Sequence, residues 1–275
     1  MIGQQELLVR FEKLIKKNKF PKFCIITGPV GSGKKTIVEH IHKQFDDVVF
    51  SIHGTGVDDI RLMIASCNKL SSVKHLCLIP DADGMSVQAR NALLKVTEEP
   101  PKNTYIIMTL EDINNTLETI KSRATVFKMY PYTVPELIEY AEWKRYKEID
   151  IIKDVCETPG EIDKLCSHDV SEFYNFVNKT VDNIAVANGA NVFKIANKLQ
   201  LKDTPEGYDL SLFFKMFIRI CVERWNSGKY DIEMSNNYMK AVTITSTYLK
   251  DLKIKGISKQ GVVDLWILDI RKEWM

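Results

Sequence analysis

Apolar and polar residues in the first part of the chain form two alternating kinds of segment. Between Gln4 and Lys17 apolar positions recur at helical spacing, which predicts an amphipathic helix. Phe23-Cys24-Ile25-Ile26-Thr27 is a short run that is apolar on both sides, the pattern of a strand buried on two faces. A glycine-rich turn and a helix to about Phe45 follow. The alternation continues with a strand from Val48 to Ile52, a helix from Val57 to Leu70 and a strand from His75 to Ile79. A helix from Ser86 to Glu99 and a strand from Tyr105 to Thr109 come next, and Thr125 to Met129 closes the series. This order predicts an α/β fold with a parallel sheet covered on both faces. The strand ends at Gly28, Pro80 and Thr109 then line the carboxyl edge, where such folds bind ligands.

The pattern changes at Pro131. Thr133-Val-Pro-Glu136 fits a capping box with an early proline, so a helix starts there, and helical spacing dominates afterwards. Phe173, Phe176, Val177, Thr180, Val181 and Ile184 share one face of a second helix; Leu212 to Trp225 and Val262 to Trp274 predict two more. The expected organisation is an α/β domain over 1–130, a small helical domain over 131–180 and a helical remainder over 181–275.

Composition narrows the class without naming it. The 275 residues are 45% hydrophobic and 27% charged, as in ordinary globular proteins. The N-terminus lacks the continuous apolar stretch of a secretory signal, and no apolar run is long enough for a transmembrane helix. Six scattered cysteines without a CxxC pair suit reduced thiols of a cytoplasmic protein rather than a disulfide framework or zinc site. A formal net charge of +2 leaves nucleic-acid contact to local patches.

The clearest chemical signal is Gly28-Pro29-Val30-Gly31-Ser32-Gly33-Lys34. It satisfies G-x4-G-K, follows a strand and opens a helix, which is the context a phosphate-binding loop needs. Its N–H groups and the helix N-terminus would face phosphate oxygens of ATP or ADP, with Lys34 reaching the β- and γ-phosphates. The next position breaks the pattern. A Ser or Thr hydroxyl there would ligate Mg²⁺, but the residue is Lys35, and Thr36 is rotated by about 100° around the helix. The third strand departs as well. It ends Ile79-Pro80-Asp81-Ala-Asp83, with proline at the first expected acidic position, Asp81 after it, and Asp83 either near the site or a turn residue. Nucleotide binding is expected, and efficient hydrolysis is not.

These blocks, with Gly56-Val-Asp-Asp-Ile-Arg61, Asn91-Ala-Leu-Leu-Lys95, Glu98-Glu-Pro-Pro101 and Ile120-Lys-Ser-Arg123, resemble the bacterial clamp-loader subunits of the AAA+ class. Those are delta prime and its relatives gamma and tau. The resemblance covers the first domain and continues more weakly through Thr158-Pro-Gly-Glu-Ile and the final helix. It implies an AAA+ domain, a helical lid and a helical collar. It also implies a heteropentamer with gamma/tau-type and delta-type subunits that loads a sliding clamp onto primer-template DNA in the cytoplasm, with no membrane partner.

The resemblance assigns roles residue by residue. Ser122 and Arg123 match the motif that lends an arginine finger to a neighbour's ATP, with Ala124 in place of cysteine; on residue type alone Arg123 also reads as a surface arginine closing a helix. Asp81 is the remnant of the acidic motif, Thr109 the first sensor, and Glu161 stands near where the motor subunits carry a sensor arginine. Lys35, Pro80 and Glu161 together favour delta prime; the alternative is an active ATPase, either a gamma/tau-like motor or a DNA-remodelling AAA+ protein. Arg61, Lys74 and Lys102 are the candidate DNA contacts, although solvated side chains explain lysines equally well. The family's zinc-module cysteines are absent and the chain is shorter than usual, which points to a reduced or viral version.

Overall fold

The computed structural model describes residues 2–69, 73–186, 210–252, 254 and 256–274. The chain divides into two units. The first comprises Met1–Glu139 with Thr158–Gly160, the second Tyr140–Glu157 with Glu161–Met275.

The first unit runs α1 (Gln5–Lys16), β1 (Phe23–Thr27), α2 (Lys34–Gln44), β2 (Val48–Ile52), α3 (Val57–Lys69) and β3 (Lys74–Ile79). It continues with α4 (Val87–Glu98), β4 (Thr104–Leu110), α5 (Glu118–Lys121), β5 (Thr125–Lys128) and the start of α6 (Val134–Lys144). Leu70, the expected last residue of α3, lies outside the described residues. The strands form one sheet in the order β2-β3-β4-β1-β5, and every pairing is parallel. The expected α/β class is therefore the observed one.

Alternation along the strands sorts side chains to two covered faces. Phe23, Ile25, Cys77, Ile79, Ile106 and Met108 pack with Ile60, Met63 and Cys67 of α3, with Ala89 and Leu93 of α4, and with Ile120 of α5. Their strand neighbours Cys24, Ile26, Leu76, Leu78 and Ile107 pack instead with Leu7, Leu8 and Phe11 of α1 and with Ile37, Val38 and Ile41 of α2. The parallel order brings the ends of β1, β3 and β4 to one edge, with Ile26 opposite Thr109 and Ile79 opposite Met108. The capping box at the start of α6 is formed reciprocally. The Thr133 N–H donates to Glu136 Oε2 at 2.8 Å, and the Glu136 N–H to Thr133 Oγ1 at 3.4 Å.

The second unit is helical among its described residues. It holds the rest of α6, then α7 (Ile149–Val155), most of α8 (Pro159–Leu165), α9 (Val170–Val186), α10 (Leu210–Asn226), α11 (Ile232–Asp251) and α12 (Lys259–Glu273). Its core centres on Trp266, fully buried among Phe213, Phe214 and Phe217 with ring centroids 5.9, 4.9 and 5.0 Å away. The indole N–H donates to Thr245 Oγ1 at 2.9 Å, so its polar atom is satisfied inside the core. Trp274 is half-buried and donates to the Asn237 carbonyl at 2.8 Å. Trp266 is thus a core residue of its own unit. Among the described residues no helix is long and apolar enough to cross a membrane.

Candidate nucleotide site

The loop between β1 and α2 is held in shape by the chain itself. Gly31 and Gly33 sit at φ 75° and 87°, left-handed values that let successive N–H groups turn inward as an anion-binding nest. Lys34 is buried, and its ammonium donates to the Gly28 carbonyl at 2.7 Å and the Pro29 carbonyl at 2.9 Å. An ammonium has three donors, so one remains for a phosphate oxygen. Burial lowers the Lys34 pKa, and the negative charges of Asp81, Glu111 and Asp83 oppose that shift. Ser32 is buried too, with its hydroxyl donating to the Pro29 carbonyl at 2.7 Å.

Residues from distant parts of the sequence complete the cradle. The Tyr132 hydroxyl donates to the Ser32 carbonyl at 2.8 Å, Thr158 Oγ1 to the Val30 carbonyl at 3.1 Å, and the Gly160 N–H to the Gly31 carbonyl at 2.9 Å. With the two Lys34 contacts, the carbonyls of residues 28 to 32 each accept at least one bond from the chain. Gln4 pairs its side-chain amide with the Tyr130 backbone in both directions, at 2.7 and 2.9 Å, and so ties the start of the chain to the exit of β5. The Thr158-Pro-Gly block is visible in the sequence; Tyr132 and Gln4 carry no sequence signal, because their partners are carbonyls any residue could offer.

The residues present do not fit a bound Mg²⁺. Lys35 and Thr36, on the first turn of α2, are both exposed. At the end of β3, Pro80 offers no carboxylate, and exposed Asp81 adopts a left-handed φ of 48° while its N–H donates to buried Thr109 Oγ1 at 3.0 Å. Asp83 resolves as a turn residue. Its carboxylate accepts from the Glu111 N–H (2.8 Å), the Asp112 N–H (3.4 Å) and Asn115 Nδ2 (2.8 Å), pinning the loop after β4.

Ser122 closes α5 with its hydroxyl on the Thr119 carbonyl at 3.1 Å. The Arg123 guanidinium bonds the Thr119 carbonyl and the carboxylate of Glu98, so two of the sequence blocks meet here. Glu161 accepts from Lys215 Nζ at 2.7 Å and from the Glu157 N–H at 2.7 Å. The candidate DNA contacts do not share one face. Arg61, paired with Asp58 at 3.1 Å, is in the second turn of α3 and nearer the carboxyl edge. Lys74 begins β3, and Lys102 precedes β4, at the amino edge.

Residues 51–133 match the family model described as DNA polymerase III, delta subunit. Replication factor C subunit 5 from Homo sapiens is 28% identical over 151 residues, covering 50% of this chain and 44% of the relative. The chain is similar to AAA+ clamp-loader subunits. The Replication factor C small subunit from Sulfolobus acidocaldarius is 24% identical over 184 residues, covering 60% and 56% of the two chains. This clamp-loader-like chain spans about half the length of the curated relatives it matches. A solved RuvB variant from Thermotoga maritima shares the fold, with a TM-score of 0.50 at 16% identity over 94% of this chain and 91% of that one.

Proposed function

We propose that this chain is a delta-prime-like clamp-loader subunit that binds ATP or ADP but does not hydrolyse it. One observation carries the reading: the phosphate loop is formed and braced, while the residues that would handle Mg²⁺ are Lys35, Pro80 and an Asp83 whose carboxylate holds the loop after β4. Gly31, Ser32, Gly33 and Lys34 would hold the phosphates. Among the described residues no group of three or more His, Cys, Asp or Glu is placed to hold a metal ion. Arg123 acts in trans, its planar guanidinium moving from Glu98 to the γ-phosphate of a neighbouring subunit's ATP, where it stabilises charge in the transition state.

In this reading the helical part divides into a lid to about 180 and a collar from 181, and the partners are gamma/tau-type and delta-type subunits, a sliding clamp and primer-template DNA in the cytoplasm. Arg61, Lys74 and Lys102 contact phosphates, Arg61 separately from the other two because they occupy different edges of the sheet. The test is reconstitution with the host's other loader subunits. The Arg123→Ala complex assembles, but its clamp- and DNA-stimulated ATPase falls by on the order of 10³-fold. Wild-type turnover from that complex would remove the finger assignment.

A further inference from the structure

Six cysteines lie in the described residues, and five of them are buried. Two make sulfur–sulfur contact. Cys67, in the last turn of α3, and Cys77, in the middle of β3, have Sγ atoms 3.5 Å apart and are 1% and 0% exposed. The sulfurs need to close by about 1.5 Å to reach disulfide bonding distance. A polar chain leads from this pair towards solvent: the Ser51 hydroxyl donates to Cys77 Sγ at 3.6 Å and lies 2.7 Å from Nε2 of half-buried His53. With the proton of His53 on Nε2, each group donates to the next, and the series ends with the Cys77 thiol donating to Cys67.

Two further facts set Cys67 apart from the remaining thiols. Cys67 is held below the ordinary thiol range by its hydrogen bond with Cys77, whereas burial raises Cys24, Cys156, Cys166 and Cys221. The hydroxyl of Thr104, fully buried on β4, also favours the anion at Cys67.

We infer that Cys67 and Cys77 form a redox modification site, closing to an intramolecular disulfide on exposure to a peroxide. The Cys67 thiolate attacks one peroxide oxygen and the O–O bond breaks, giving a sulfenic acid and, after protonation, water. Cys77 sulfur then attacks the Cys67 sulfur, the S–O bond breaks, and the hydroxyl leaves as a second water with the Cys77 proton. Two thiols and one hydrogen peroxide become one disulfide and two waters. The bond would fasten the last turn of α3 to the centre of the sheet, and a thiol reductant would release it. Nothing in this step uses the nucleotide site.

The experiment treats the intact, folded protein with hydrogen peroxide, then denatures it, alkylates free thiols and maps tryptic peptides without reduction. The expected product joins residues 62–69 to residues 75–90 through Cys67 and Cys77, with two of the six thiols lost and both restored by dithiothreitol. In Cys77→Ala the cross-link is absent, and dimedone traps a sulfenic acid at Cys67. Six alkylated thiols, or a cross-link confined to other cysteines or to a second copy, would overturn the inference. The wild-type peptide map decides it even if the variant does not fold.

Discussion

Trp266→Ala is expected to cost the helical unit about 3–5 kcal/mol, the range for removing a large buried aromatic side chain. The residue is completely enclosed by three phenylalanines of α10, and collapse of that aromatic wall into the vacated space would require several rings to leave their rotamers together. The substitution also removes the indole donor to Thr245 Oγ1, whose own proton stays on the Ala241 carbonyl at 2.7 Å. Calorimetric melting should show the transition of this unit lowered by on the order of 10 °C. Trp266→Phe keeps most of the apolar contact and should recover much of the loss. A melting temperature within about 2 °C of wild type for the alanine variant would mean that the ring cluster is not the core of this unit.

Gly160→Ala should have the second large effect, and it acts on nucleotide binding. A Cβ at position 160 would lie 2.4 Å from Gly31 Cα and 3.1 Å from the Gly31 carbonyl oxygen, both backbone atoms that cannot rotate away. Relief requires the 158–160 segment to lift, which breaks the Gly160–Gly31 and Thr158–Val30 hydrogen bonds. Overpacking costs about 1–3 kcal/mol and each lost hydrogen bond about 0.5–1.5 kcal/mol, so the loop should be destabilised by roughly 3 kcal/mol. ADP affinity measured by titration calorimetry should fall by at least about tenfold. Gly84→Ala is the control, because its added Cβ meets nothing within 4 Å. Unchanged ADP affinity in Gly160→Ala would show that the brace does not shape the loop.

Local signals in the sequence account for what could be read from it. The strands and helices of the first unit follow from two-sided apolar runs alternating with 3.6-residue periodicity, and the phosphate loop from glycine spacing between a strand and a helix. Helix α11 escaped because its buried positions include Ala241 and Thr245, which give almost no apolar stripe. Helices α7 and α8 are seven residues each, too short for a period to stand out. Asp83 has no local signal for its role, because the groups that decide it are backbone N–H groups 28 and 29 residues further on. The same holds for Tyr132 on Ser32 and for Arg123 on Glu98, contacts that exist only once the sheet has brought separate blocks together.

Phosphate binding and hydrolysis are told apart by one measurement on the isolated protein: ADP affinity and ATP turnover, each with and without Mg²⁺. The loop braced by Lys34, Tyr132, Thr158 and Gly160 predicts that ADP binds with an affinity little changed by Mg²⁺, and that ATP turnover stays at the background rate. Mg²⁺-dependent turnover that disappears in Lys34→Ala would contradict the account and make this chain a motor in its own right.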